Sequence, residues 1–227
     1  MNSFGKIFRV SIMGESHGNM VGIVVDGVPA GLPLKFDDFI EDLSRRKSGA
    51  KGTTPRKEAD LPRIATGVYN DFTTGAPLTI IFENTNTQSK DYTKLRETPR
   101  PGHADFVATK KFGGFEDYRG GGHFSGRLTT GLVAVGVIAK KLMKSVTIEA
   151  KLIEAGGTTD IEAAIDKAVA EGDSIGGIVE CRVNGLPVGL GEPFFDSVEA
   201  LLGHMIFSIP AIKGIEFGSG FKAAKMT

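Results

Sequence analysis

The chain has 227 residues, 41% of them hydrophobic, and its 27 basic residues balance its 27 acidic residues. This composition is typical of a globular protein with a sizeable core, and zero net charge argues against whole-molecule attraction to nucleic acid or to an anionic membrane. The single cysteine, Cys181, excludes an internal disulfide. The single cysteine and an N-terminus without a signal-peptide pattern together indicate a cytoplasmic protein.

Short apolar runs bounded by Gly, Pro and polar residues predict strands. The predicted strands are 6–13, 20–28, 63–68, 77–83, 146–153, 175–183 and 212–217. Apolar residues at helical spacing predict an amphipathic helix over 35–46, with acidic residues early and basic residues late. Asp160 as N-cap and Gly172 as a stop predict a helix over 160–171, and a short helix is predicted over 197–207.

Three further segments differ in polarity. Residues 47–60 carry several basic side chains among Gly, Ser, Thr and Pro, which predicts a mobile basic loop, and 84–98 is polar and irregular. Residues 128–142 are apolar almost all round, which predicts a central helix buried on every side. That run is too short and too interrupted by glycine to span a membrane.

An internal similarity links the two halves of the chain. Residues 25–32 read Val-Asp-Gly-Val-Pro-Ala-Gly-Leu, and residues 183–190 read Val-Asn-Gly-Leu-Pro-Val-Gly-Leu. Each follows a predicted strand. Two related strand-turn units in one domain are one interpretation, and independent hairpin turns are the other.

The stretch from Arg119 to Arg127, Arg-Gly-Gly-Gly-His-Phe-Ser-Gly-Arg, precedes the apolar helix. Three glycines allow a ligand to approach the backbone closely, and a helix that begins near Ser125 presents free N–H groups and the positive end of its dipole. The pattern favours a phosphate or carboxylate site, although similar turns also occur in ordinary connections. No Gly-Lys-Ser or Gly-Lys-Thr follows, so a Walker-type nucleotide loop is not supported.

Two of the four histidines, His17 and His103, lie in glycine-containing loops beside Glu15 and Asp105 respectively. A loop imidazole that a carboxylate holds in one tautomer suits a general acid, and a solvated histidine is the alternative. Histidine and cysteine show no metal-ligand spacing. A hydrolase triad of Ser16, His17 and Asp105 lacks the Gly-x-Ser-x-Gly elbow that would support it.

Four motifs in order resemble the chorismate synthase family. They are Gly-Glu-Ser-His-Gly at 14–18, Arg-Pro-Gly-His-Ala-Asp at 100–105, the glycines at 120–122 leading to Ser-Gly-Arg at 125–127, and Gly-Ile-Glu-Phe-Gly-Ser-Gly-Phe at 214–221. The resemblance implies a lyase of the shikimate pathway that eliminates phosphate from 5-enolpyruvylshikimate 3-phosphate. It further implies reduced FMN as cofactor without net redox change.

The resemblance also implies an α+β fold, a β-α-β sandwich with a buried central helical layer and pseudo-twofold internal similarity. The usual assembly in the family is a homotetramer, and no nucleic-acid or membrane partner is expected. The resemblance associates the chain with NADP as well. Whether the enzyme reduces its own flavin or depends on an outside reductase stays open.

Site residues are carried over by position. His17 is expected to protonate the departing phosphate and His103 to act as an acid toward the reduced flavin. The expected contacts to substrate anions are Arg46, Lys51, Arg100 and Arg127, and the expected FMN contacts are His123, Phe124 and Ser125. Lysine at 51 stands where the family more often has arginine, and the family's Gly-Arg-Ser-Ser-Ala-Arg-Glu-Thr reads Gly-His-Phe-Ser-Gly-Arg-Leu-Thr over residues 122–129.

Family members continue past the position of Phe221 with more of the flavin pocket and an Arg-His-Asp-Pro motif, whereas this sequence ends at Thr227. The resemblance therefore predicts one C-terminally incomplete domain over 1–227 with little activity by itself. A non-catalytic scaffold that retains the anion-binding loops is the alternative.

Overall fold

A computed structural model describes residues 2–49, 52–53, 58–85, 92 and 96–227. The first half of the chain forms a five-stranded antiparallel sheet with a small hairpin beside it. Its strands are β1 (Ser3–Phe4), β2 (Arg9–Gly14), β3 (Met20–Asp26), β4 (Arg63–Thr66), β5 (Val68–Tyr69), β6 (Phe72–Thr73) and β7 (Leu78–Glu83). The order in the large sheet is β1-β2-β3-β7-β4, and β5 pairs with β6.

Alternation along β3 and β7 produces the core face of this sheet. Val21, Ile23 and Val25 are fully buried, and so are Ile80 and Phe82 on the neighbouring strand. Ile23 pairs directly with Ile80, so the β-branched side chains of both strands face the same layer. The pairing register therefore fixes which residues of the sheet meet the helices.

Two helices cover the core face. A 3-10 turn over Phe36–Phe39 continues into α1 (Ile40–Arg46), and α3 (Thr129–Leu142) packs against α1 and the sheet. Another helix, α2 (Asp105–Phe112), lies between them in the chain and was not predicted. A Cβ at Gly131 would lie 3.0 Å from Cβ of Ile23, so glycine at 131 allows α3 to approach β3 closely.

Burial of α3 is one-sided, which corrects the expectation that residues 128–142 are buried on every side. The side of α3 that faces the sheet is buried, whereas Lys140 and Leu142 are exposed. The mixed α+β class is as predicted.

The second half is a two-stranded antiparallel sheet with two helices, one of which connects the strands. Its elements are β8 (Thr147–Ala155), α4 (Ile161–Glu171), β9 (Gly177–Asn184) and α5 (Val198–Ile206). The predicted caps of α4 are present, because Asp160 accepts from the Ala163 N–H at 3.3 Å and Gly172 is left-handed with φ of 67°. Ser197 caps α5 in the same way, accepting from the Ala200 N–H at 3.2 Å.

The two antiparallel strand pairs repeat one geometry. The first residue of β2, Arg9, pairs with the last residue of β3, Asp26, and Gly27 follows β3. In the same way Thr147, the first residue of β8, pairs with Asn184, the last residue of β9, and Gly185 follows β9. Both glycines are left-handed, with φ of 77° and 81°. In each case, a Cβ on the glycine would clash with the carbonyl oxygen of a residue two positions before the partner strand. That residue is Ile7 for Gly27 and Ser145 for Gly185. This equivalence supports the related-halves interpretation.

Other expectations need correction or lie outside the described residues. Residues 212–217 form no strand, because apolar composition cannot supply a hydrogen-bonded neighbour. The predicted strand 63–68 divides into β4 and β5 around Gly67. Parts of the predicted basic loop (50, 51 and 54–57) and of the polar segment (86–91 and 93–95) are not described. None of the helices in the described ranges is long and apolar enough to cross a membrane.

Candidate active site

Two predicted motifs, far apart in the chain, form one structural unit. The Ser16 N–H donates to the Gly122 carbonyl at 3.0 Å. Nδ1 of His123 lies 2.8 Å from the Gly14 carbonyl, 109 residues away in sequence. A carbonyl oxygen can only accept, so Nδ1 of His123 carries the hydrogen in this contact. The Gly14–Gly18 loop is therefore fastened to the glycine stretch.

Left-handed backbone at all three glycines shapes this unit. The φ angles are 59° at Gly120, 79° at Gly121 and 53° at Gly122. A Cβ at Gly120 would lie 2.6 Å from Nε2 of His17, inside van der Waals contact. Glycine at 120 is thus required both by the backbone conformation and by the histidine ring packed against it.

His17 is 6% exposed, so the predicted acid is buried rather than solvated. Its ring meets Tyr92 edge-to-face with centroids 4.9 Å apart. The positive form of His17 also contributes to lowering the pKa of Asp117, after the larger effect of hydrogen bonds from Arg119. A charged imidazole here therefore has a carboxylate within electrostatic reach.

Arg46 and Arg127 converge on one buried carboxylate. Arg46 Nη1 donates to Oδ2 of Asp60 at 2.8 Å, and Arg127 Nη1 donates to Oδ1 of the same residue. Burial lowers the pKa of Arg46, Asp60 opposes that shift, and the positive charge of Arg127 adds to it. Two guanidinium groups and one carboxylate leave the cluster with one net positive charge.

Asn84 joins this cluster to the histidine loop. Its Nδ2 donates to the carbonyls of Glu15 and Gly18, each at 2.9 Å, and its Oδ1 accepts from Arg127 Nε at 3.1 Å. One amide side chain therefore relates the loop that carries His17 to the guanidinium of Arg127.

Arg100 is paired with Asp105, the first residue of α2. Arg100 Nε and Nη2 donate to the two carboxylate oxygens at 2.8 and 2.9 Å. These hydrogen bonds lower the pKa of Asp105 and raise that of Arg100. His103 is exposed between them in the sequence, with Nδ1 at 3.3 Å from the Pro101 carbonyl. Lys51 lies outside the described residues.

A cavity of about 1210 Å³ adjoins the glycine loop, and Gly121 lines it. The three predicted cofactor residues, His123, Phe124 and Ser125, line it, whereas Arg46 and Arg127 do not. Phe124 meets Phe112 of α2 with ring centroids 6.0 Å apart. The predicted cofactor and substrate residues are thus separated into an aromatic-walled cavity and a cationic cluster.

Several residues of this site were missed from the sequence. Asp60 and Asn84 hold the arginines, and the cavity is also lined by Met205 in the last turn of α5 and by Ser208 and Pro210 after it. No local pattern marks them, because each acts through partners distant in sequence. Within the described residues there is no group of His, Cys, Asp and Glu side chains that could hold a metal ion.

An α+β fold with a buried histidine, a pair of arginines and an adjoining cavity is typical of an enzyme that binds an anionic substrate. Comparison with known proteins identifies the family. A family model for chorismate synthase matches residues 8–227. Chorismate synthase of Chitinophaga pinensis is 67% identical over 227 residues, which cover all of this chain and 68% of that protein.

Similarity extends to distant relatives and to a solved structure. Chorismate synthase of Korarchaeum cryptofilum is 44% identical over 253 aligned positions, covering 98% of this chain and 70% of that protein. A crystal structure of chorismate synthase superposes with a TM-score of 0.77 at 25% identity, covering 98% of this chain and 71% of that chain. The chain belongs to the chorismate synthase family, and it is accordingly a lyase of the shikimate pathway.

Proposed function

We propose that this site eliminates phosphate and a ring hydrogen from 5-enolpyruvylshikimate 3-phosphate to give chorismate, with reduced FMN as cofactor. The observation that carries the proposal is the connection of buried His17, through Asn84, to the Arg46–Asp60–Arg127 cluster. An acid beside a cationic cluster matches a substrate whose leaving group is a phosphate.

In this proposal the arginines bind and orient the substrate's anionic groups. Arg46 is half-buried and belongs to a cluster with one net positive charge, so it attracts phosphate or carboxylate in a partly desolvated setting. Arg100 is oriented by Asp105, and its Nη2 lies 3.9 Å from the Cβ position of Gly121. Lys51 is proposed as a further anion contact.

His17 donates its proton to a phosphate oxygen as the carbon–oxygen bond of the substrate breaks, so the leaving group departs with less negative charge. Its burial excludes water from the proton transfer, and Gly120 and Tyr92 hold the ring in place. Positioned general acids contribute roughly 10²–10⁴-fold to rate. His103, being exposed, is proposed to act as an acid toward the flavin.

The cavity residues fit FMN. A cavity of about 1210 Å³ accommodates a planar three-ring system, Phe112 and Phe124 supply aromatic walls, and His123 and Ser125 supply polar contacts. When bound, the reduced flavin supplies reversible electron donation to the substrate without net redox change. NADP as the source of its reduction is part of the same proposal.

Homotetrameric assembly in the cytoplasm completes the proposal. Large apolar side chains of the second half are exposed, such as Val179 on β9 at 60% and Phe195 at 90%. Exposed apolar surface of this kind supports contacts between subunits. The single cysteine, exposed on β9, suits a reducing compartment.

An anaerobic assay tests the proposal. The protein is mixed with reduced FMN and substrate, and chorismate and inorganic phosphate are measured together. We expect equal amounts of both, at the low rate predicted for this chain by itself, a further loss of at least ~10²-fold in His17→Ala, and no change in the control Asp26→Asn, which alters an exposed ion pair on β3. Phosphate release without chorismate, or an unchanged rate in His17→Ala, contradicts the proposal. Anion binding without turnover favours the scaffold alternative.

A further inference from the structure

Asp60 is an unusual position for a carboxylate. Its side chain is 2% exposed. Its backbone is left-handed, with φ of 50°, a conformation that L-residues rarely adopt and that Asp and Asn tolerate best. A buried charge is costly unless it is paired and hydrogen-bonded, so the partners of this carboxylate explain its presence.

Those partners are the two arginines proposed to bind substrate. Each carboxylate oxygen accepts from a different guanidinium, Oδ2 from Arg46 at the end of α1 and Oδ1 from Arg127 in the turn before α3. Arg46 also donates through Nη2 to the Gly126 carbonyl at 3.3 Å. Without the carboxylate, two like charges would face each other at the meeting point of separate segments.

We propose that Asp60 is a positioning residue of the anion site: it holds Arg46 and Arg127 together so that the positive charge of both acts on one anionic group. The inference rests on the proposed function only in assuming that these arginines bind the substrate's anion. Asp60 does not touch the substrate in this account. Its carboxylate neutralises one of the two positive charges and fixes the orientation of both guanidinium groups.

The effect of Asp60 extends to the acid. Arg127 is held on its other side by Asn84, which in turn holds the carbonyls of Glu15 and Gly18 around His17. A carboxylate at 60 therefore sets the distance between the anion site and the proton donor through one continuous set of hydrogen bonds. Misplacement by about 1 Å can reduce a rate by ~10²-fold.

The test uses inorganic phosphate as the probe. Isothermal titration compares the unaltered protein with Asp60→Asn, which keeps size and removes charge, and with Asp60→Glu, which keeps charge and lengthens the side chain. Asp26→Asn is the matched control, because it alters an Arg–Asp pair whose side chains are 56% and 46% exposed. Arginine Nε–H signals in ¹⁵N-labelled protein report on the guanidinium groups independently of ligand.

Asp60→Asn raises the net charge of the cluster to +2, but the two guanidinium groups then repel each other and lose their fixed orientation. We therefore expect it to weaken phosphate binding at least ~10-fold, Asp60→Glu to weaken it less, and Asp26→Asn to leave it unchanged. The Arg46 and Arg127 Nε–H signals should shift only in the position-60 variants. Where turnover is measurable, Asp60→Asn should raise KM more than it lowers kcat. A purely structural role would reduce the folded fraction, and hence apparent kcat, at constant KM.

Two results overturn the inference: unchanged phosphate affinity in folded Asp60→Asn, or no phosphate binding by the unaltered protein. If Asp60→Asn fails to fold, Asp60→Glu decides, and full phosphate affinity in that variant overturns the inference as well. Phosphate binding that depends on Asp60, in a protein that does not convert the substrate, supports the positioning role while refuting the proposed function.

Discussion

Gly120→Ala is the perturbation that most sharply separates backbone conformation from side-chain contact in this site. Gly120 and Gly121 are both left-handed, with φ of 59° and 79°. Alanine in that conformation costs roughly 1–2 kcal/mol at either position. At 120 the new Cβ would also lie 2.6 Å from Nε2 of His17 and 3.0 Å from Oγ of Ser16, whereas at 121 the nearest atoms are 3.9 Å away.

The contact at position 120 adds an overpacking cost of roughly 1–3 kcal/mol. Gly120→Ala should therefore destabilise the protein by about 2–5 kcal/mol and Gly121→Ala by about 1–2 kcal/mol. Urea unfolding followed by far-ultraviolet circular dichroism measures both, since the chain has no tryptophan. The ring signals of His17 in proton NMR should move only in Gly120→Ala. Equal destabilisation by both variants, with an unmoved His17 ring, would refute the close approach.

Three further predictions concern stability. Phe82→Ala removes a fully buried ring and should cost ~3–5 kcal/mol in urea unfolding, whereas Phe115→Ala, at a side chain 96% exposed, should change stability by less than ~0.5 kcal/mol; similar values would contradict the assigned core. Hydrogen bonds from Arg100 lower the pKa of Asp105 below 3.8, its value in the unfolded chain. As pH falls, Asp105 is therefore protonated first in the unfolded chain, and the stabilisation from the Arg100–Asp105 pair is lost between the unfolded-state pKa and the lower folded-state pKa. Unfolding free energy measured between about pH 6 and pH 3 should thus fall less steeply in Asp105→Asn, and an unchanged slope would count against the pair. Asp160→Ala should cost ~1 kcal/mol, and Asp160→Asn much less, because only the cap is lost; equal losses in thermal unfolding would rule out capping.

Local patterns predicted the elements that depend on local physics. The helix over 35–46 and the caps of α4 follow from apolar spacing and from side chains that satisfy helix ends, and both are confirmed. Helix α2 was missed because residues 105–112 carry no clear apolar face. The predicted strand at 212–217 was wrong because pairing is a nonlocal property that composition does not encode.

The candidate site divides in the same way. His17 and the glycines were recognisable because glycine and loop histidine have local signatures. Asp60 was not recognisable, because an acidic residue next to a basic loop is expected to be solvated. Its partner Arg127 is 67 residues away in the sequence, and only the fold shows the contact between them. Asn84 likewise acts through partners 43 to 69 residues distant. Candidate residues with local signatures were thus recognisable in the sequence, whereas the residues that hold them in the structure were not.

Flavin titration in the presence and absence of 5-enolpyruvylshikimate 3-phosphate is the most direct test of the central claim, that the aromatic cavity and the cationic cluster form one site across the glycine loop. FMN fluorescence and absorbance report on binding in the cavity, and the substrate is proposed to bind at the cationic cluster. We predict that FMN binds and that substrate strengthens its binding, with the strengthening lost in His17→Ala and Arg127→Ala. FMN binding that is absent, or indifferent to substrate, would contradict a shared site.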